Sequence, residues 1–245
     1  LYGAMTADWG DVQPNDDFGC DMNDLSDPAI DVYDNAMFII ALDYLLEMAP
    51  DSPQASRWKS LREGIERNVR AHLWDVKRQK FIPHIYPEKS PIPEGFDELA
   101  IHYHGGTAIA IEAGLLSKDE IRTVNAQMLE NVRLSGMPSI GLTLYPVYPD
   151  GFFHGGMSKA YLYQNGGDWT WFGGRMIQQL VVNGMVEEAY AEIHPMIERV
   201  IQNDGFYEWY GKGGVPSGSG NFKGSAGVLS KAIELLRDWA EKNKS

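Results

Sequence analysis

The sequence predicts a mostly α-helical chain, and three observations carry that prediction. Apolar residues recur at steps of three and four in several long segments, and strict alternation over more than a few residues is rare. In addition, 44% of the 245 residues are hydrophobic and 11% aromatic, enough for one sizeable core in a single domain spanning 1–245.

The elements follow in chain order. Asp27 is a candidate N-cap with Pro28 at the first helical position; behind them Ile30, Tyr33, Met37, Ala41, Tyr44, Leu45 and Met48 share a face that ends before Pro50. A second helix opens at Ser52-Pro53 and carries Trp58, Leu61, Ile65, Val69 and Leu73, so a short loop makes the first pair an αα-hairpin. A shorter run from Gly106 to Leu115 precedes Ser117-Lys118-Asp119-Glu120, a capping box that opens a helix bearing Ile121, Val124, Met128 and Val132 and stopping near Gly136. Helices over 170–183 and 186–202 meet at the turn Asn183-Gly184, with Pro195 expected to kink the second. A last helix from Ser225 places Leu229, Ile233, Leu236 and Trp239 on one stripe.

Between these pairs lie long segments, 1–26, 76–104, 134–168 and 204–224, rich in Gly, Pro, Trp, Tyr, Asn and Asp. Long loops of that composition are where binding and catalysis concentrate. Charge narrows the partner. Thirty-four acidic against 21 basic residues leave a net charge of −13, which repels phosphate backbones and anionic membrane surfaces, so nucleic acid is not the expected partner. No window approaches about 18 consecutive apolar residues, so no membrane span is expected. The single cysteine, Cys20, can build neither an internal disulfide nor a cysteine-rich zinc site.

Three loop segments carry candidate chemistry. Thr6-Ala7-Asp8-Trp9-Gly10-Asp11 sets two carboxylates around an indole, which offers a sugar a stacking surface and raises an acid's pKa by desolvation; the plainer reading is solvated loop residues or caps. Tyr163-Gln164-Asn165-Gly166-Gly167-Asp168-Trp169-Thr170-Trp171 mixes aromatic faces with amide and carboxylate, as a pyranose pocket requires, or else packs into the core with Asp168 as a cap. Gly205-Phe206-Tyr207-Glu208-Trp209-Tyr210 holds one glutamate among aromatics, a costly place for a charge unless it is paired or functional, or unless that strand face is wet.

In this combination and order the segments resemble the six-hairpin (α/α)6 toroid glycosidases, above all glycoside hydrolase family 63, with trehalase and the glucosidase half of glycogen debranching enzyme as relatives. Tyr163, Gly166 and Trp169 meet the family pattern Tyr-x-x-Gly-x-x-Trp, which the chain leaves at Asn165, where family 63 usually has a substrate-holding arginine. Phe206, Glu208 and Tyr210, a Gly-rich turn, then Phe222, Ser225 and Ala226 meet Phe-x-Glu-x-Tyr and Phe-x-x-Ser-Ala; Leu73-Trp74-Asp75 with Phe81 is similar to a Leu-Trp-Asp element of these proteins that usually has a turn glycine. The likeness runs from Ala7 to Ala240.

The resemblance implies an all-α (α/α)6 toroid with long loops and short β-strands at the active-site face. A full toroid has about twelve helices in six hairpins, so about seven would be its C-terminal part, with missing N-terminal hairpins supplied upstream or by a second chain. It further implies hydrolysis of an α-glycosidic bond with inversion. Asp11, or as second choice Asp8, would be the proton donor and Glu208 the general base, about 6.5–9.5 Å apart. Trp9, Tyr163, Asn165, Asp168, Trp169, Trp171 and Tyr207 would bind the sugar, with no metal or cofactor. Two other readings use the same residues: a disaccharide phosphorylase on this fold, which needs cationic donors for phosphate and finds only Lys212 and Lys223 near Glu208, and a carbohydrate-binding toroid without catalysis.

Other features have plainer readings. The acidic run Asp16, Asp17, Asp21, Asn23, Asp24 and Asp27 lacks EF-hand spacing and reads as a solvated loop. His102, His104 and His154 show no third zinc ligand, and His104 before Gly105-Gly106 marks a pocket rim or a helix start. Asn243-Lys244-Ser245 is a glycosylation sequon at the very end of the chain.

Overall fold

The computed structural model describes residues 1–2, 4–5, 27–153 and 157–243. Among the described residues the helices are α1 (Val32–Met48), α2 (Ala55–His72), α3 (His104–Glu112), α4 (Lys118–Ser135), α5 (Thr170–Val182), α6 (Val186–Asn203) and α7 (Lys223–Lys242). Two-residue strands form four antiparallel pairs: β1 (Ala4–Met5) with β2 (Pro28–Ala29), β3 (Trp74–Asp75) with β4 (Lys80–Phe81), β5 (His102–Tyr103) with β6 (Leu144–Tyr145), and β7 (Trp209–Tyr210) with β8 (Pro216–Ser217). None of the described helices is long and apolar enough to cross a membrane.

Packing divides the helices into two layers. In the inner row α1 packs on α3, α3 on α5 and α5 on α7, while α2, α4 and α6 each cover the outside of the helix before them. The sequence of α3, His-Gly-Gly-Thr-Ala-Ile-Ala-Ile-Glu, explains its place. It is buried from His104 to Ile111, and its glycines and alanines let α1 and α5 approach from both sides. The main core gathers Ile39, Leu42, Ile109, Phe172, Ile177 and Leu180, each such burial stabilising by roughly 1.5–3 kcal/mol. A second, smaller core of Ile101, Tyr103, Leu144, Tyr148, Phe153 and Met157 sits under the loops.

Connection lengths then place the site. Loops 49–54, 113–117 and 183–185 join α1, α3 and α5 to their outer partners at one end of the array. The segments 76–104, 134–168 and 204–224 run from an outer helix back to the N-terminus of the next inner helix, so they share the opposite end. There they are stitched together by the β5–β6 pair and by the bridges Leu142↔Asp168, Asp168↔Tyr210 and Phe206↔Asn221.

Most boundaries agree with the expected ones. In α4 the capping box is present, with Ser117 N donating to Glu120 Oε2 at 2.9 Å, and Gly136 ends the helix at φ 69°. Between β3 and β4 the left-handed turn position expected of a glycine is filled by Gln79 at φ 54°. Helix α6 continues through Pro195.

The start of α1 differs from expectation. Pro28–Ala29 is extended and paired with Ala4–Met5, so the cap is Asp31, whose Oδ1 accepts Asp34 N–H at 2.9 Å. Its buried residues are Val32, Asn35, Ala36, Ile39 and Leu42; Tyr44, Leu45 and Met48, expected on the core face, are exposed. The reason is position. Met37, Ile40 and Tyr44 line a cleft of about 380 Å³ with Arg175 of α5 and Val228 and Lys231 of α7, so Tyr44 faces that cleft and not the core.

One buried acid in the outer layer makes stability depend on pH. Glu192 of α6 is almost fully buried against α4, where Asn125 Nδ2 donates to its Oε1 at 2.8 Å. Burial, with the Glu188 charge adding to it against the Asn125 hydrogen bond, pushes its carboxyl up to about 7. The folded state therefore holds a proton that the unfolded chain has released, and this contribution is lost as pH rises from about 4.5 through 7. Glu192→Gln keeps an acceptor for Asn125 and removes the charge. In urea unfolding it should match the native chain at pH 5 and exceed it by about 2 kcal/mol at pH 8; equal stability at both pH values would refute this.

Candidate active site

A cavity of about 320 Å³ opens among the long segments, lined by Tyr33, Tyr163, Trp169, Trp171, Glu208, Phe222 and Gly224. Tyr33 and Trp171 are each the second residue of an inner helix, and Phe222 caps α7, so the N-termini of α1, α5 and α7 converge on it. That arrangement presents the positive ends of three helices to a site whose described lining holds one carboxylate, Glu208.

Local sequence fixes the aromatic wall. Trp169 N–H donates to Gly141 O at 2.7 Å, and Gly141 has to be glycine: a Cβ there would overlap Asp168 Oδ1 and lie 2.5 Å from Trp169 O. Tyr163 adopts φ 48°, and its carbonyl accepts both Trp169 Nε1–H at 3.1 Å and Gly167 N–H at 3.0 Å. A tyrosine held in the left-handed region is strain kept by its surroundings, a recurrent mark of functional walls. The Tyr163 and Trp169 rings meet edge to face at 5.1 Å, and Trp169 meets Phe222 at 6.1 Å. The Arg175 guanidinium lies 5.1 Å from the Trp171 ring centroid and is held at 2.7 Å by Glu112.

Behind the wall lies an ionic node. Asp168 is 0% exposed, 2.7 Å from Arg199 Nη1 and within 2.8 Å of the Ser139 hydroxyl through both oxygens. Arg199 also donates to Thr170 Oγ1 at 2.6 Å and stacks 4.0 Å from the Tyr210 ring centroid. A second node serves the neighbouring loop. Glu98 accepts from Tyr86 and Tyr148 hydroxyls at 2.7 Å each and sits 2.7 Å from His84 Nδ1. Burial alone would raise the Glu98 carboxyl, but these contacts hold it below the usual carboxylate range.

Of the residues expected to touch substrate, Tyr163, Trp169, Trp171 and Glu208 come together in the cavity. Three do not. Asp168 is enclosed in the node just described. Asn165, also fully buried, spends its amide on the Tyr148 backbone, accepting N–H at 2.9 Å and donating to the carbonyl at 3.1 Å, so neither is free to bind sugar hydroxyls. Tyr207 has its ring against Gly205 and Gly220 and is absent from the lining. Trp9, Asp8, Asp11 and the acidic run from Asp16 to Asp24 lie outside the described residues, as does His154. His104 is the first residue of α3 and wholly buried, a helix start and not a rim; burial pushes its imidazole down to about 3, so it is neutral. Sequence reasoning missed Tyr33, which it placed on a core stripe, and left Phe222 as a motif residue only.

No protein-family profile matches the chain, and no curated protein sequence does. Solved structures do. The chain superposes on an uncharacterized conserved protein from Thermus thermophilus with a TM-score of 0.61 at 16% identity, covering 86% of this chain and 47% of that one. On the family 63 mannosylglycerate hydrolase from the same organism in complex with glucose it gives 0.60 at 17% identity, over 86% and 46%. The complex of that hydrolase with Tris and D-glycerate gives 0.58 at 16% identity over the same shares. The chain has the six-hairpin glycosidase fold. It spans about half the length of these structures, its seven described helices share the fold of part of them, and the cavity lies at the end of the array where the inner helices begin.

Proposed function

We propose that this chain carries the acid and the base of an inverting glycoside hydrolase acting on an α-linked glucoside or mannoside. The observation that carries the reading is Glu208 as the single carboxylate in the described lining of a sugar-sized cavity whose other side chains are five aromatic rings. Aromatic faces stack on the apolar faces of a pyranose, and a glutamate carboxylate beside them can take a proton from water. The solved neighbours that bind glucose or act on mannosylglycerate support the substrate class.

In this mechanism Asp11, with Asp8 as second choice, protonates the leaving oxygen while Glu208 deprotonates a water attacking the opposite face of the sugar. The bond to the leaving group breaks as the bond to water forms, and the anomeric configuration inverts. The pairing of β1 with β2 favours this donor, because it brings both flanks of segment 6–26 beside the start of α1, two residues before the cap that precedes Tyr33. The partner implied by an open arc is the set of hairpins that complete the ring, from an upstream part of the polypeptide or a second chain. A groove of about 630 Å³ between α6 and α7, walled by Tyr190, Ile193, Ile197, Ile233, Leu236 and Trp239, is apolar surface suited to a further helix. Sedimentation equilibrium tests this, since a stable monomer at 27.4 kDa argues against it.

The function is tested by screening aryl α-glycosides and disaccharides and following the first-formed anomer by NMR. Release of the β-anomer is expected. The α-anomer as first product overturns inversion, turnover only with phosphate identifies a phosphorylase, and binding without release of reducing ends identifies a lectin-like toroid.

A further inference from the structure

Glu208 needs more than a place in the wall: a glutamate has three rotatable side-chain bonds, and a base acts only from the geometry that meets its water. Among the described residues no lysine or arginine pairs with it, and the single donor to its carboxylate is a backbone amide. Ser219 N–H donates to Glu208 Oε2 at 3.1 Å, while Glu208 N–H donates to Ser219 O at 2.9 Å. Residue 219 therefore grips both the side chain and the main chain of residue 208.

The grip depends on the residue before it. Gly218 has φ 69°, in the left-handed region, and lies directly against the glutamate: a Cβ there would overlap Oε2, lie 2.7 Å from Glu208 Cβ and 3.0 Å from Cδ. The β7–β8 ladder, with Trp209 opposite Ser217 and Tyr210 opposite Pro216, sets this turn in register with the glutamate.

We infer that Gly218 and Ser219 form a main-chain clamp that fixes Oε2 of Glu208 and leaves Oε1 to address the attacking water, making Gly218 a positioning residue of the proposed hydrolysis. The inference rests on Glu208 being the base. The chemistry favours an amide over a cation here. An N–H orients a carboxylate through one directed hydrogen bond without neutralising the charge that water activation uses. The nearby cations are engaged elsewhere or exposed: Lys212 Nζ sits 3.8 Å from the Tyr161 ring centroid, and Lys223 is exposed at the start of α7.

The test is Gly218→Ala, alone and in a Glu208→Gln background, with Ser219 amide hydrogen exchange followed by NMR in the native chain and in Glu208→Ala. Expected are a fall in kcat of about 100-fold with KM within threefold, because the aromatic walls stay in place. Less than twofold further loss is expected when glutamine already occupies 208, and about tenfold faster Ser219 exchange once the carboxylate is gone. A kcat within threefold of native, a KM that rises as far as kcat falls, or independent losses in the double variant overturns the clamp. Should Gly218→Ala fail to fold, the exchange measurement decides: unchanged Ser219 protection in Glu208→Ala overturns it. Full activity of Glu208→Gln overturns the hydrolase reading instead, and the amide still reports the contact.

Discussion

Glu208→Gln should lower kcat for an α-glycoside by about 10³-fold, equivalent to about 4 kcal/mol of transition-state stabilisation, while KM stays within about threefold. Glutamine keeps the shape and an oxygen for Ser219 N–H, so the loop has no cause to move; only the capacity to take a proton from water disappears. Binding should persist, because the proposed stacking faces of Tyr33, Tyr163, Trp169, Trp171 and Phe222 are untouched. Asp11→Asn provides the complementary signature. A donor variant should fail on substrates whose leaving group needs protonation and recover on glycosyl fluorides, which leave unaided, whereas Glu208→Gln should fail on both because each requires the water. Retention of one tenth or more of native activity by Glu208→Gln would remove it from the mechanism.

What the sequence made legible follows from where each determinant lies along the chain. The capping box of α4 is contained in four residues, and the stripes of α2 and α5 repeat locally, so both can be read directly. The buried face of α1 cannot. Periodicity says that Met37, Tyr44 and Met48 share a side, but which side of an inner helix is covered depends on α3, α5 and α7. The same limit governs the site. Glu208 could be found because a charge among aromatics is anomalous by itself, and Trp169 and Trp171 because their neighbours are sugar-binding types. Asp168 looks identical in text to a hydroxyl-binding aspartate. Its burial is decided by Arg199 on another helix and Ser139 in another loop. Gly141 and Gly218 carry no local signal at all, since what makes a side chain impossible there is a residue distant in sequence.

Arg199→Met should destabilise the fold by about 3–5 kcal/mol, the effect expected when one member of a buried ion pair is removed and the other stays charged in the interior. Asp168 is wholly enclosed, and the Ser139 hydroxyl has one proton to share between its two oxygens, so nothing among the described residues can replace the guanidinium. Arg199 also gives up its bond to Thr170 and its stacking on Tyr210. The double variant Arg199→Met/Asp168→Asn should recover more than half of the loss, because an amide can be satisfied by Ser139 and leaves no bare charge. Denaturant unfolding of the three variants measures both effects, and a single variant within about 1 kcal/mol of native would refute the assignment. Catalysis should follow stability here. The Asp168 backbone donates to Tyr210 O at 2.9 Å and accepts Tyr210 N–H at 2.8 Å, tying the segment that ends in Trp169 to the strand two residues beyond Glu208. A pair that holds the aromatic wall to the strand next to Glu208, when broken, should raise KM and lower kcat together. That distinguishes it from Glu208→Gln, whose loss falls on kcat alone, and the charge-free double variant should restore both constants in step with its stability.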